Sequence, residues 1–538
     1  MSKRKSSSHE RTNLQSMLAI FLIASLVWYS DYSVYDSIYL PRIVLFSIFS
    51  LILMIVSFNQ IQTQVSLHPL LISLFGASIL IVFLDSPFMS NFYGESQRIN
   101  GTLLFILIST SVIIGLLSNK RNFRRVITKT LIFNGALVSI LVIYSHFFSV
   151  QASLLRPWIN GNAEGGINEN FKSMFIAVSL ALHLSILGWE KRNIAKQYLL
   201  PVSMLIHLLA LFLIGSAQGV LLVALTCIFI ACGSKANLRF GVPLLSITYA
   251  ATYLSFLYIG PLAKFVDSST LERIYLARRG IELLKNAPLF YPNPLRISEN
   301  DFSSATLTVI PGTTVWVDDV HNVFLNVGNT YGLFRLVFIT IIMALFIADF
   351  YKNALRISWE TRALGAIILS TSLVLIITIL NPIYLLPLCF IIGMYTTSRA
   401  IDLKGSKDEK LLFSNSKRLH FKFQKSKLGK FVVGILVLQL TYGTFSILRE
   451  YVNQREVNRI VDSKSSSEKN PLLESFNEVE GILESSYDLR FIYEVGRSYY
   501  LEDDCQSTKR VSEILRSRSS GHFLTKKLDS LYAECLTR

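Results

Sequence analysis

Thirteen apolar runs, each about the length needed to cross the hydrocarbon core of a bilayer, recur along this chain and limit it to a bundle of membrane-spanning helices. They lie at about 14–29, 43–58, 67–84, 101–117, 126–149, 172–188, 198–215, 218–232, 240–260, 322–349, 363–380, 383–398 and 431–447. Composition agrees: 51% of the 538 residues are hydrophobic, 16% are charged and the mean hydropathy is +0.45, which excludes a single soluble globule. The predicted fold class is therefore all-α, a polytopic bundle of about 12–13 spans.

The polar segments between the runs predict an orientation. With the N-terminus inside, alternate loops carry the basic clusters NKRNFRR (119–125), EKRNIAK (190–196), SKANLR (234–239), YKNALRISWETR (351–362) and the basic stretch 399–430. Only 59–66, among the loops expected to be cytoplasmic, lacks basic residues. The leader MSKRKSSSHER is basic, and the run after it lacks a small-residue cleavage site, so it reads as a first span and not as a removed signal peptide. These clusters account for the net charge of +16, and no basic stripe interleaved with aromatics appears; nucleic acid is not an expected partner. The domain reading is a leader (1–13), N-terminal spans (14–260), a large extracytoplasmic loop (261–321), C-terminal spans (322–447) and an extracytoplasmic helical domain (448–538).

Two polar regions have internal patterning. From Ser269 to Asn286, Leu271, Ile274, Tyr275, Ile281, Leu283 and Leu284 alternate with Glu272, Arg273, Arg278, Arg279 and Lys285, predicting an amphipathic helix at the interface or over a cavity. Prolines and glycines then break up 288–312. The tail predicts short helices at about 469–485, 489–501, 506–518 and 522–536, and its two cysteines, Cys505 and Cys535, are expected to pair on neighbouring helices of an exported module. Cys227, Cys232 and Cys389 fall in apolar runs and read as small buried hydrophobes. His146, His183, His207 and Asn134, also within runs, read as hydrogen-bonding groups between helices.

The stretch DDVHNVFLNVGNTYG, Asp318 to Gly332, sets a histidine at the border between the large polar loop and an apolar helix. An imidazole there can take a proton from an incoming hydroxyl, because it titrates close to physiological pH; it can also simply cap the helix beginning near Asn322. Asp318 and Asp319 fit acidic residues at a helix N-terminus as well as partners of His321. No His, Cys or acidic cluster has zinc-like spacing, and phosphate-loop, dinucleotide and nucleophile-elbow motifs are absent, so the reading is metal-independent and without a cofactor.

Five stretches, YGESQRINGTLLF (93–105), GGINENF (165–171), GSAQGVLLVAL (215–225), LERIYLARRGIELLKNAPLF (271–290) and DDVHNVFLNVGNTYG, resemble in order and side the O-antigen ligase and O-antigen polymerase superfamily of bacterial envelope glycosyltransferases. Members carry His followed by Asn, Ser or Gln, then nine residues and a Gly; His321, Asn322 and Gly332 match that spacing, whereas Arg335 stands where the family has a small residue or tyrosine. The family's arginine with leucine four positions on, at the start of a helix, is replaced here by Gln218 with Leu222. The resemblance implies a plasma-membrane enzyme of bacterial envelope glycan (O-antigen, lipopolysaccharide) biosynthesis. It would transfer or polymerise a glycan from an undecaprenyl-type polyprenyl diphosphate donor to a glycan, lipid or protein acceptor. In that role His321 is the base. Arg98 and Arg273, with Lys172 as a third candidate, hold the donor diphosphate beside Gln218, whose carboxamide lacks the guanidinium's charge and fork. Arg98 also fits a snorkelling anchor and Arg273 a solvated amphipathic face. A transporter or flippase of lipid-linked saccharides is the alternative reading; it predicts an inverted pair of broken helices, which the sequence does not show.

Overall fold

The computed structural model describes residues 2–64, 102–119, 121–148, 158, 167–187, 194–258, 268–285, 289, 322–378, 381–404, 427–464, 476–518 and 523–537. Every regular element among them is helical, so the all-α class holds. The first half contains α1 (Ser2–Trp28), α2 (Tyr39–Gln64), α3 (Thr102–Leu116), α4 (Arg121–Phe147), α5 (Glu169–Ile186), α6 (Ile194–Ile214), α7 (Ala217–Ser234) and α8 (Gly241–Tyr258). Then come α9 (Ser268–Lys285), α10 (Val323–Tyr331), α11 (Leu333–Asn353), α12 (Trp359–Val374), a 3-10 turn (Leu375–Ile377), α13 (Pro382–Lys404) and α14 (Lys427–Lys464). Four short helices close the chain: α15 (Phe476–Leu483), α16 (Leu489–Leu501), α17 (Cys505–Arg518) and α18 (Phe523–Cys535).

Among the described residues six helices are long and apolar enough to cross a membrane: Tyr39–Phe58, Asn122–Phe147, Ala217–Ser234, Leu333–Asn353, Trp359–Ile377 and Pro382–Leu403. That length and composition are compatible with an integral membrane protein. The expected run at 67–84 lies outside the described residues.

Helix pairs close through small residues and buried hydroxyls. α3 and α13 touch backbone to backbone, because a Cβ added to Gly393 would lie 2.2 Å from the Val112 carbonyl and 2.7 Å from the Gly115 Cα. His183 Nε2 meets Ser203 Oγ at 2.9 Å and His207 Nε2 meets Ser179 Oγ at 3.0 Å, so two histidines and two serines cross-stitch α5 and α6. Gly135 of α4 admits this pair: a Cβ there would lie 2.0 Å from Ser179 Oγ. Asn134 likewise accepts from the Trp28 indole of α1. His146 departs from the expectation; it is exposed near the end of α4, edge-on to the Phe147 ring. Of the three apolar-run cysteines, Cys389 is buried, Cys232 partly so and Cys227 exposed, because Cys227 falls on the outward face of α7.

Two boundaries differ from the sequence reading. The run expected as one helix over 322–349 is broken into α10 and α11 at Gly332, whose φ of 93° is a conformation that side-chain-bearing residues rarely adopt. The boundary expected at 448 falls inside α14, which continues through it to residue 464. At about 1.5 Å per residue a helix of that length far exceeds a bilayer core. Its C-terminal part is fastened to the segment between α1 and α2: Gln454 Oε1 accepts from the Asp36 amide (3.0 Å), Asn458 Nδ2 donates to the Ser33 carbonyl (2.8 Å), and the Tyr451 hydroxyl donates to Asp31. α15–α18, with Val457 and Ile460 of α14, enclose a second core that includes Val479, Leu483, Phe491, Ile492, Tyr499, Val511, Leu515 and Leu528. The pairing expected of Cys505 and Cys535 is present there as a disulfide.

Candidate functional site

The starts of α5 and α7 are joined by short polar side chains. Asn168 caps α5 by accepting from the Asn170 amide (2.8 Å), and Asn170 Oδ1 in turn accepts from Ser216 Oγ (2.8 Å). Ser173 Oγ bonds Ser216 Oγ at 3.0 Å. Because the Ser216 hydroxyl is drawn to α5, it does not cap α7, and the first-turn amides of α7 have no side-chain cap. Gly219 lets the two helices meet, since a Cβ there would lie 2.8 Å from the Ser173 carbonyl.

Gln218, in the first turn of α7, is buried and turned to the 3-10 segment. Its Nε2 donates to the Ile377 carbonyl (3.2 Å) and its Oε1 accepts from the Thr378 hydroxyl (3.0 Å). Three residues on, Asn381 Oδ1 accepts from the Ile383 amide (2.9 Å) at the start of α13, while its Nδ2 is buried with no partner among the described residues. Phe171 and Tyr384 join α5 to α13, with ring centroids 6.0 Å apart. Lys172 is buried beside them in the first turn of α5.

α10 packs against the same 3-10 segment. The side chain of Asn322 accepts from the Leu325 amide (3.0 Å), making it the cap residue; His321 therefore immediately precedes the helix, and the capping role that sequence leaves open for it belongs to Asn322. On its other side α10 takes up α9: Asn329 Nδ2 donates to the Gly280 carbonyl (3.0 Å), and Leu276, Leu283 and Leu325 form a small apolar contact. The predicted amphipathic helix is thus present as α9, with its apolar side laid on α10.

Of the residues singled out by sequence, Lys172, Gln218, Asn322 and Gly332 are described, and Arg273 is placed on α9 by its backbone. Arg98, Asp318, Asp319 and His321 lie outside the described residues. The reading of Gln218 as a free diphosphate donor is changed: its carbonyl and one of its two N–H groups are spent on the 3-10 segment, leaving a single N–H. Sequence reading passed over Asn168, Asn170, Ser216 and Asn381, though an Asn or Ser just before an apolar run is a helix-start signal.

The starts of α5 and α7 are thus joined directly, α7 and α10 both meet the 3-10 segment, and α13 begins a few residues beyond it. The starts of α5 and α7 contribute the positive ends of helix dipoles, α7 with amides its own cap residue leaves unbonded, and Lys172 adds a basic group beside Glu169 of the same turn. This arrangement favours an anion. Among the described residues no group of three His, Cys, Asp or Glu side chains could hold a metal ion. No family model and no curated protein matches the chain.

Proposed function

We propose that the protein is a membrane glycosyltransferase that transfers or polymerises a glycan carried on a polyprenyl diphosphate, with its site formed by the starts of α5, α7, α10 and α13. The observation that carries this reading is the packing of α10, which directly follows His321, against the 3-10 segment that also holds Gln218. Two motif-bearing helices, α7 with Gln218 and α10 with Asn322 as its cap residue, thereby meet at one segment.

In the proposed reaction an acceptor hydroxyl attacks the anomeric carbon of the donor sugar as the bond from that carbon to the diphosphate oxygen breaks. The hydroxyl proton passes to the neutral imidazole of His321, and the diphosphate leaves with the electron pair of the broken bond. Negative charge growing on the leaving group is met by the uncapped amides of α7, by Lys172 and by Arg98 and Arg273. The activated donor supplies the driving force, so no nucleotide is consumed. The thirteen-span topology, with an extracytoplasmic α9 and C-terminal module, belongs to the same proposal and agrees with a disulfide in that module.

The test is His321→Gln in purified protein given a polyprenyl-diphosphate-linked glycan. Transfer is expected to fall about 100-fold to 10,000-fold with the donor still bound, because glutamine hydrogen-bonds but cannot take up the proton. A variant that transfers at the wild-type rate makes the histidine structural and removes the reading.

A further inference from the structure

A second buried basic side chain lies at the junction of α1 and α2. Arg42, in the first turn of α2, is 1% exposed. Its Nε donates to the Tyr29 carbonyl just past α1 (2.7 Å), and its guanidinium lies over the Trp158 ring, 5.6 Å from the centroid. Nη1 and Nη2 have no hydrogen-bond partner among the described residues. Four of the five guanidinium donors are therefore buried unused. The acid whose charge Arg42 feels is Asp36, but the Asp36 carboxylate is engaged in capping α2 through the Tyr39 amide (3.0 Å).

The surroundings are closely packed. Trp158 is fully buried, donates its indole N–H to the Val27 carbonyl (2.7 Å), and packs on Trp28 (6.4 Å) and on Phe175 of α5 (5.7 Å). One ring face offsets only part of the hydration a guanidinium loses on burial. A purely structural arginine would have its fork paired, as Arg362 has: its three nitrogens reach Ala354, Ser234 and Ile357. What fits an unpaired planar fork is a bidentate oxyanion, and at the polar edge of a bilayer the abundant oxyanion is phosphate.

We propose that the Nη1 and Nη2 groups of Arg42, held flat by Trp158 and the Tyr29 carbonyl, form a binding site for a phosphate group. The site is closed in this conformation, so the phosphate enters through local opening at the junction of α1 and α2. The inference rests on membrane placement and not on glycan transfer: a binding readout tests it even if His321→Gln leaves transfer intact.

Full-length protein purified in non-ionic detergent is titrated with undecaprenyl diphosphate, with phosphatidylglycerol and with inorganic phosphate. Binding is read by native mass spectrometry and by quenching of the Trp158 emission, taken as the difference from Trp158→Phe. At least one probe is expected to bind, and Arg42→Met to weaken that binding about tenfold or more. A response to the diphosphate alone makes the ligand a donor-type lipid, a response to phosphatidylglycerol makes it a bilayer headgroup, and a response to phosphate makes it a free anion. Without ligand, Arg42→Met is expected to melt at or above the wild-type temperature, since an apolar side chain of similar length relieves a buried unpaired charge. If Arg42→Met does not fold, Arg42→Lys, which keeps the charge without the fork, is expected to fold and bind about tenfold more weakly. Binding of all three probes by the variant that folds at wild-type affinity, or binding of none of them by wild-type protein, overturns the proposal.

Discussion

Glu450 and Asp488, both fully buried, share one amide nitrogen: Gln454 Nε2 lies 3.2 Å from Glu450 Oε1 and 3.1 Å from Asp488 Oδ2. The two carboxylates join different parts of the chain. Glu450 sits on α14 past the apolar run and receives the Ser486 hydroxyl (2.7 Å) and the Tyr487 amide (2.7 Å), whereas Asp488 caps α16 through the amides of Arg490 (3.0 Å) and Phe491 (3.1 Å). This node, with the Asp36 amide on Gln454, fastens the C-terminal module together with the packing of Val457, Ile460 and Tyr35 against the module's core.

That geometry makes the fastening sensitive to pH. Burial first, and then the charge of Asp488, push the Glu450 carboxyl up to about 7. An unfolded glutamate titrates near about 4.3, so the folded chain holds this proton more tightly. The stabilisation is complete below about pH 4 and is lost as pH rises through about 7, on the order of 3 kcal/mol in all. Hydrogen exchange of the amides at 486–492 should therefore quicken between pH 5 and pH 8.5, and Glu450→Gln should flatten that dependence. An unchanged slope in the variant would assign the titration to another group.

The Cys505–Cys535 bridge closes a 30-residue separation across α17 and α18. In the chain-entropy account a loop of that size is worth about 3 to 4 kcal/mol. Reduction, or Cys535→Ser, should lower the melting temperature of the module and leave the membrane bundle unaffected. Peptide mass spectrometry without reductant should recover the two cysteines as one linked pair, and recovery as free thiols would remove this contribution.

Gly115 and Gly393 set the distance between α3 and α13. Neither position has a flexible side chain to push aside, since the neighbours of an added Cβ are backbone atoms. Gly393→Val should cost about 3 kcal/mol or more, at or beyond the upper end of ordinary overpacking, and appear as lost monodisperse protein on size exclusion. Gly434→Ala is the matched control, because no atom lies within 4 Å of an added Cβ there.

Features governed by local pattern were legible in the sequence. The amphipathic α9 was expected within a residue or two of its ends, α16 to α18 followed from their apolar spacing, and the cysteine pair from its isolation in the tail. Features governed by tertiary contact were not. Nothing in NTYGLF distinguishes a glycine inside a continuous helix from one that breaks it at φ 93°, and nothing in the sequence joins Arg42 to Trp158, 116 positions away (158 − 42). The tie from Gln218 to Ile377 and Thr378 is of the same kind, and it bears on the role that the family resemblance implies for this residue.

For Gln218, structure and binding can be separated by substitution. Removing its carboxamide leaves the buried Thr378 hydroxyl without its acceptor and the Ile377 carbonyl without this donor, a loss of about 1 to 3 kcal/mol. Gln218→Ala should therefore lower the melting temperature clearly. Donor affinity should fall by less than about tenfold, because only one N–H of this side chain remains for a phosphate oxygen and it carries no charge. Arg98→Ala and Arg273→Ala should show the reverse pattern, with near-normal melting and donor affinity reduced about tenfold or more, as loss of a charge-assisted bond requires. Measuring melting temperature and donor affinity on the same three purified variants decides the matter: if Gln218→Ala loses donor binding while both arginine variants keep it, the remaining amide proton at the start of α7 is the diphosphate ligand and the arginines are not.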